Sequence, residues 1–263
     1  MPYALCHLVL ASSLLLATAG TSGAQETQDG VPAPAVRLPS DAMAVPFRLG
    51  EFLEYDVKFG VLKVGNGSME VRDIVDVRGV ASWHTIFRFS GGIPFYRVDD
   101  KYESWFDTVT LTSRRYFQDI QEGSYKPKRR FEIYAERGVY QKNSEPEQPT
   151  VAEPLDEGSF LYFARTIPLD VGKEYTFHRY FQRESNPVRI KVLRRDTIDV
   201  PAGRFATIVV RPTFQSKGLF SENGNAEVWL SDDDRRIMVQ MKSKLSIGSI
   251  NLYLRSVSSK LKK

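Results

Sequence analysis

Cysteine is almost absent from this chain of 263 residues. The single example, Cys6, lies in an apolar segment close to the amino terminus. Once that segment is removed the chain has no thiol, which excludes disulfides, cysteine-ligated metals and a cysteine nucleophile. Stability must then come from the core, and a domain of this size can bury roughly 70 % of its unfolded surface.

Histidine is also scarce, since only His84 and His178 follow the amino-terminal segment. Two histidines exclude three-histidine and HExxH zinc sites. No G-x-S-x-G elbow precedes a helical pattern, and no glycine loop carries the Lys-Ser/Thr pair of a phosphate-binding loop. His84 alternates with Trp83 and Thr85, and we expect it to face solvent. We therefore predict that the protein is not an enzyme and has no catalytic residues, metal or cofactor.

The amino-terminal segment resembles an export signal. Residues 5–19 are mostly apolar or small, and Ser22 and Ala24 suit the −3 and −1 positions of a signal peptidase site. We predict a signal peptide over residues 1–24 with cleavage before Gln25. The apolar run is too short for a membrane anchor, and no later run approaches the required length of about 20 residues. Because Cys6 does not follow the cleavage point, we expect a periplasmic or envelope protein that is neither lipid-anchored nor membrane-spanning.

Composition divides the remainder of the chain into three parts. Residues 25–46 hold four prolines among small and polar residues, which predicts a disordered tether. Residues 47–258 are predicted to form a single β-rich domain, and residues 259–263 a basic tail. Within the domain, residues 143–154 are rich in proline and glutamate and predict a loop between two strand-rich halves.

An alternation of period two runs through both halves, for example over Trp83–Phe89 and Arg130–Tyr134. Glycine pairs separate the alternating segments, and we interpret Gly65–Gly67 and Gly91–Gly92 as turns. This predicts an all-β protein: an antiparallel, strongly curved sheet or flattened barrel of ten to fourteen strands. One short helix is predicted before Pro168, with Asp156 or Ser159 as its cap and aromatic residues at helical spacing.

Charged residues allow several interpretations. The net charge is +4, and paired arginines lie in alternating segments, which fits either a solvated strand face or attraction to anionic lipid headgroups. No nucleic-acid-binding module accompanies the charge, so no nucleic-acid partner is predicted. Asp232–Asp234 fits a tight turn better than a calcium site. The carboxylates of Asp99, Asp100 and Glu103 lie near aromatic residues, as in a glycosidase, and Asp99 with Glu103 or Asp100 with Asp107 could converge.

Three motifs carry a resemblance to a known family. They are residues 50–67 with the sequence GEFLEYDVKFG and a later VGNG, residues 200–207 with VPAGRFAT, and residues 227–252, from EVWLSDDDRR to IGSINL. Together they resemble the domain-of-unknown-function 3108 family of exported bacterial envelope proteins, over about Phe47 to Val257. The resemblance implies a β-rich exported protein and supplies no catalytic residues. A similarity to curved-sheet lipoprotein carriers exists at the level of fold only.

Aromatic residues are plentiful, at 12 % of the chain. They form either an ordinary core or, if the sheet curls incompletely, the lining of an apolar cavity. On the second interpretation the ligand-binding residues are Trp83, Phe87, Phe89, Tyr102, Trp105, Phe131, Phe160, Phe163 and Trp229. The leading hypothesis is a non-enzymatic envelope protein that binds a hydrophobic or glycolipid-type ligand in the concave face. The alternatives are a structural or assembly partner of another envelope protein and a cell-wall glycan hydrolase.

Overall fold

The computed structural model describes residues 38–215, 226–244 and 249–260, apart from the side chains of residues 93 and 244. The predicted signal peptide, the tether up to residue 37 and the last three residues of the basic tail lie outside the described residues. No helix in the described part of the chain is long and apolar enough to cross a bilayer.

Strands dominate the described residues, which contain fourteen of them. The seven in the first part of the sheet are β1 (Glu51–Phe59), β2 (Leu62–Val77), β3 (Val80–Ile93), β4 (Tyr96–Asp107), β5 (Ser113–Asp119), β6 (Lys128–Tyr134) and β7 (Val139–Lys142). The other seven are β8 (Gln148–Pro149), β9 (Glu174–Phe177), β10 (Val188–Val200), β11 (Gly203–Thr213), β12 (Glu227–Ser231), β13 (Met238–Lys244) and β14 (Ser249–Ser259).

All fourteen strands pair antiparallel in one sheet, in the order β8-β7-β6-β5-β4-β3-β2-β1-β14-β13-β12-β11-β10-β9. The two strand-rich halves therefore meet where β1 pairs with β14. The sheet is not closed into a barrel, because β8 and β9 remain edge strands. A single parallel bridge, Leu155 to Tyr180, joins the segments that follow these two edges. The predicted all-β class and the antiparallel sheet are confirmed.

Two glycine motifs do not lie where the sequence suggested. Gly65–Gly67 is inside β2 and Gly91 is inside β3, and these strands pair directly at Gly65 and Gly91. The turns lie at Gly60–Val61, which precedes Gly65, and at Pro94–Phe95, which follows Gly92. The reason is steric: a Cβ on Gly65 would collide with the carbonyl oxygen of Ser90, and one on Gly91 with that of Val64. Glycine here permits close approach of two strands rather than a reversal of the chain.

One helix, α1 (Glu157–Phe163), lies in the described residues where the sequence predicted it. Asp156 is its N-cap, and its carboxylate accepts the backbone N–H groups of Gly158 and Ser159. The Ser159 hydroxyl accepts the N–H of Asp156 in return, which completes a capping box. The Asp156 carboxylate also accepts the hydroxyls of Ser104 and Ser113, so the cap fixes the helix to β4 and β5.

Helix α1 packs inside the curve of the sheet and contacts both halves of it. Tyr162 meets Phe47 edge-on, with the ring centroids 5.0 Å apart, and Phe160 meets Phe214 at 4.8 Å. At the end of the helix Arg165, only 1 % exposed, forms a two-pronged ion pair with Glu51 of β1 at 2.7 and 3.0 Å. The face of the sheet that surrounds the helix is called the core face below.

The end of the predicted tether lies against this body. The backbone N–H of Met43 donates to the carbonyl of Thr108 at 2.9 Å, and the carbonyl of Pro46 accepts from Arg165 at 3.3 Å. Residues 38–46 therefore differ from the disordered segment that proline content suggested, because backbone groups of Met43 and Pro46 find partners in the β4–β5 turn and just after α1.

Candidate functional site

The nine predicted ligand-binding aromatics do not converge on one site. Seven lie on the core face or on α1, within or against the continuous apolar core. Trp105 and Trp229 lie on the opposite face, away from the concave side where the sequence analysis placed the ligand. Trp105 stacks on His84, with ring centroids 4.5 Å apart, and Trp229 donates to Asp196 at 3.1 Å beneath Arg194 and Lys242. Strand alternation is the cause, since Trp105 is an odd number of residues from Tyr102.

Among the described residues, α1 packs closely against the sheet inside the curve. The apolar cavity between α1 and strands β10–β13 has a volume of about 20 Å³. Ligand pockets begin at roughly 300 Å³, and a single water needs about 10–15 Å³. The side chains around this cavity include Met69, Phe160 and Leu230, which belong to the core. In the described part of the chain, helix α1 therefore occupies space inside the curve where a hydrophobic ligand was expected.

Part of the core face is polar and carries carboxyl groups with raised pKa values. Asp100 of β4 accepts the backbone N–H of Gln121 at 2.9 Å and the hydroxyl of Tyr102 at 3.4 Å. Its carboxyl also hydrogen-bonds to Glu122, from the loop that follows β5. Burial and the neighbouring Asp100 charge raise the pKa of Glu122 to about 8, and burial also raises the pKa of Asp100. One proton is thus shared by the pair at neutral pH.

The start of α1 adds two further buried acids. Burial raises the pKa of Asp156 to about 6, against the hydrogen bonds from Ser159, Ser104 and Ser113 that lower it. Burial also raises the pKa of Glu157 to about 7, with a further contribution from the charge of Asp156. Glu157 accepts the hydroxyl of Tyr180. These groups are spread along a packed core face, and each forms hydrogen bonds with neighbouring residues of the fold.

The carboxylates that the sequence suggested for glycan cleavage are separated. Asp99 and Glu103 lie on the face opposite Asp100, and Glu103 is paired with Lys101 and with His84. Burial raises the pKa of Glu103, but the bonds to His84 and Lys101 outweigh it and hold the value at about 2. Asp100 pairs with Glu122 instead of Asp107. A glycosidase needs about 5–9.5 Å between its carboxyl groups to admit the sugar, and a directly bonded pair leaves no such gap.

His84 is buried, whereas the sequence analysis predicted that it faces solvent. The residue is 9 % exposed, and its ring lies between two carboxylates, with Nδ1 2.9 Å from Asp73 and Nε2 2.8 Å from Glu103. Burial lowers the pKa of His84, yet these two hydrogen bonds and charges outweigh burial and raise it. Neighbouring strands provide the cover, because Trp105 on β4 stacks over the imidazole. His84 is a structural link between β2, β3 and β4.

The acidic turn Asp232–Asp234 joins β12 to β13. Asp233 accepts the backbone N–H groups of Arg235 and Arg236, both at 3.1 Å, and the Ser231 hydroxyl at 2.6 Å. These bonds are what a tight turn requires. Within the described residues no group of three histidine, cysteine or acidic side chains could hold a metal ion.

A polar cleft of about 590 Å³ opens at one end of the sheet. Its floor is the close approach of β2 and β3 at Gly65 and Gly91, and its wall is the loop between β5 and β6. Polar side chains around it include Asn66, Ser90, Arg97, Asp99, Gln121 and Lys126. Within the described residues, the side chains of Arg97 and Lys126 form no hydrogen bond or ion pair. Sequence reasoning missed this cleft, although the two glycine motifs that form its floor were the available signal.

Comparison with known proteins supports the fold. The structure of a β-barrel-like protein of domain of unknown function DUF1849 from Brucella abortus aligns with a TM-score of 0.56 at 11 % identity, covering 83 % of this chain and all of that one. A candidate lipoprotein of Parabacteroides distasonis ATCC 8503 aligns with a TM-score of 0.37 at 10 % identity, over 81 % and 98 % of the two chains.

A candidate exported protein of Bacteroides fragilis NCTC 9343 with a YmcC-like fold also aligns with a TM-score of 0.37, at 8 % identity over 83 % of this chain and all of that one. No curated protein is significantly similar to this chain. A family model does match, over residues 54–255, which is most of the chain. The chain therefore belongs to the family described as protein of unknown function (DUF3108).

Proposed function

We propose that this protein is a non-enzymatic exported envelope protein that binds the anionic, glycolipid-type headgroup of an envelope lipid in the polar cleft. The observation that carries the proposal is the contrast between the polar cleft and the apolar cavity beside α1, two of the spaces among the described residues. The cleft, at about 590 Å³, is within the range of roughly 300–1,000 Å³ that ligand sites occupy, whereas the apolar cavity is about 20 Å³. A headgroup fits the first, and an acyl chain does not fit the second.

The chemistry of the cleft favours an anionic, hydroxyl-rich ligand. Arg97 offers a planar fork of donors suited to phosphate or carboxylate, and Lys126 adds a mobile point charge. Asp99 is the acidic residue of the lining, so cations are in excess. The amides of Asn66 and Gln121 can donate to and accept from sugar hydroxyls. The glycine floor also brings backbone close to the ligand.

Export and the absence of catalysis are parts of the same proposal. The signal-like segment over residues 1–24 supports export. The direct pairing of Asp100 with Glu122, and the structural roles of His84 and Asp156, support a binding function without chemistry. The edge strands β8 and β9 are only two and four residues long, which offers little backbone for assembly by strand addition.

Replacing the two cations of the cleft tests the proposal. We expect the double variant Arg97→Gln, Lys126→Gln to bind glucose 1-phosphate about ten-fold or more weakly than the unaltered protein, because two charge-assisted contacts are removed. Isothermal titration calorimetry measures the affinity, with glucose as the uncharged probe. The double variant Lys128→Gln, Arg130→Gln makes the same charge change on exposed side chains of β6 and serves as the control.

Lipid extraction from the protein isolated from cells provides a second readout. Mass spectrometry should find an anionic lipid with the unaltered protein and less of it with the cleft variant. Equal binding of glucose 1-phosphate by the cleft and control variants contradicts the proposal. Failure of the unaltered protein to bind any anionic sugar contradicts it as well.

A further inference from the structure

Three turns project from the same end of the sheet, next to the cleft. Val57 pairs with Gly65, Gly65 with Gly91 and Gly91 with Val98, and Val98 bridges to Glu122. These residues form one row across five neighbouring segments. The β1–β2, β3–β4 and β5–β6 turns all follow within four residues of that row. Since strands lie about 4.8 Å apart, neighbouring turns are separated by about 10 Å.

The first two turns carry bare apolar side chains. Phe95 and Val61 are fully or almost fully exposed, at 106 % and 89 %, and Leu62 is 67 % exposed. Among the large apolar side chains of the described residues, none of the others exceeds 49 %. Apolar side chains exposed to water do not stabilise the fold, and clusters of this kind mark interaction sites.

Phe95 occupies a backbone conformation that does not suit it. Its φ is +70°, in the left-handed region where glycine or asparagine is normally found in a turn after proline. A bulky aromatic residue raises the energy of this conformation and makes no compensating burial. The described fold does not explain an aromatic side chain at position 95, which indicates that Phe95 contacts something outside the folded chain.

A basic residue follows each turn. Arg97 is two residues beyond Phe95, and Lys126 follows Tyr125, which is 46 % exposed. Lys63 comes after Val61 and Leu62 and forms an ion pair with Asp56 at 2.7 Å, so Arg97 and Lys126 provide the available charge. Apolar side chains at a tip with cations just behind them match the layers of an anionic membrane surface. The apolar groups enter the boundary of the acyl chains, and the cations remain at the level of the headgroups.

We propose that the protein docks on an anionic bilayer through these three turns, with Val61, Leu62 and Phe95 inserted in the interface. This inference goes beyond headgroup binding and deepens it, since docking would place the opening of the polar cleft at the headgroup layer. It predicts a fixed orientation on the membrane. The opposite end, with the β4–β5 turn near Val109, then points away from the bilayer.

Vesicle binding tests the docking surface, with the protein as isolated from cells. We expect binding to vesicles of phosphatidylcholine with roughly 30 % phosphatidylglycerol and much weaker binding to pure phosphatidylcholine. The triple variant Val61→Ser, Leu62→Ser, Phe95→Ser should lose roughly ten-fold or more of its partition coefficient, because the apolar insertion is removed. The matched control is Leu49→Ser, Val109→Ser, Val171→Ser, which removes exposed apolar side chains at the other end and should bind normally.

A fluorescent label reports insertion directly. The chain beyond Cys6 has no cysteine, so Phe95→Cys and Val109→Cys can each carry one environment-sensitive dye. A blue shift on vesicle addition is expected at position 95 and none at position 109. Equal vesicle binding by the two triple variants, equal dye responses or no binding by the unaltered protein would overturn the inference.

The experiments distinguish a failure of the headgroup-binding proposal from a failure of the docking proposal. If the turn variant keeps its affinity for glucose 1-phosphate while losing vesicle binding, both proposals stand. If the unaltered protein binds glucose 1-phosphate but not vesicles, headgroup binding stands and docking is rejected. Vesicle binding that depends on the turns, without any affinity for the sugar phosphate, rejects the cleft and retains the docking surface.

Discussion

Glu122 is the residue whose ionisation couples most directly to folding. Its folded-state pKa of about 8 is above the ordinary value of 4.5, first because it is buried and then because Asp100 is charged. The folded protein therefore keeps a proton that the unfolded chain releases between these two values. Its stabilising contribution is complete below pH 4.5 and is lost as the pH rises through about 8. Asp156 and Glu157 act in the same direction at lower pH.

Replacing Glu122 with glutamine should remove this pH dependence. The amide can still donate to Asp100 but does not ionise, so we expect Glu122→Gln to gain about 1–2 kcal/mol over the unaltered protein between pH 5 and 8.5. Urea unfolding across that range measures the difference. Glu145→Gln, at an exposed position in the same half, is the control. A parallel decline in stability for the unaltered protein and Glu122→Gln would show that the shared proton does not matter.

Helix α1 is a seven-residue element, too short to be stable alone, and its cap connects it to the sheet. Asp156 accepts two backbone N–H groups and two serine hydroxyls, and it is fully buried. The stability of the helix therefore depends on this contact with β4 and β5 as well as on its aromatic packing. Because the helix fills the curve of the sheet, its loss would expose the core face.

Asp156→Ala should destabilise the protein by about 2–3 kcal/mol, since a cap is worth about 1 kcal/mol and two buried hydroxyls lose their acceptor. Asp156→Asn retains an acceptor for the helix N–H groups and should cost less than about 1 kcal/mol. The free energies of unfolding in urea compare the two variants. Equal losses for alanine and asparagine would mean that packing, rather than the cap, positions the helix.

At the scale of the whole molecule, the pairing of β1 with β14 makes one sheet from two halves of the chain. Nine residue pairs form this ladder, with a bulge between Glu54 and Tyr55. The Arg165–Glu51 ion pair and the segment around Met43 add contacts between distant parts of the sequence. Neither half has an independent layer against which to pack, because both surround the same helix.

We therefore expect one cooperative unfolding transition, as the single-domain prediction requires. The three tryptophans permit a direct test: Trp229→Phe leaves probes only in β3 and β4, and the double variant Trp83→Phe, Trp105→Phe leaves a probe only in β12. In each variant the fluorescence transition should coincide with the circular-dichroism transition of that same variant. Separate midpoints within either variant would indicate two units.

Features that depend on residues close together in the sequence could be predicted, whereas features that depend on residues far apart could not. The position of α1 was predictable because its cap and aromatic spacing are local signals. Gly65 and Gly91 were assigned to turns, since a glycine that allows close strand approach has the same sequence appearance as one that reverses the chain. Glu122 was missed because strand alternation gives no direction to a loop residue, and its partner Asp100 is on another strand.

The amino-acid sequence by itself determined the strand-rich class and the short capped helix, because alternation and capping act over a few residues. Only the tertiary structure decided that the curve is filled by α1, that Trp105 and Trp229 face away from it, and that a polar cleft lies beneath three exposed turns. These features depend on the register between strands that are far apart in the chain, and register is a property of the packed sheet.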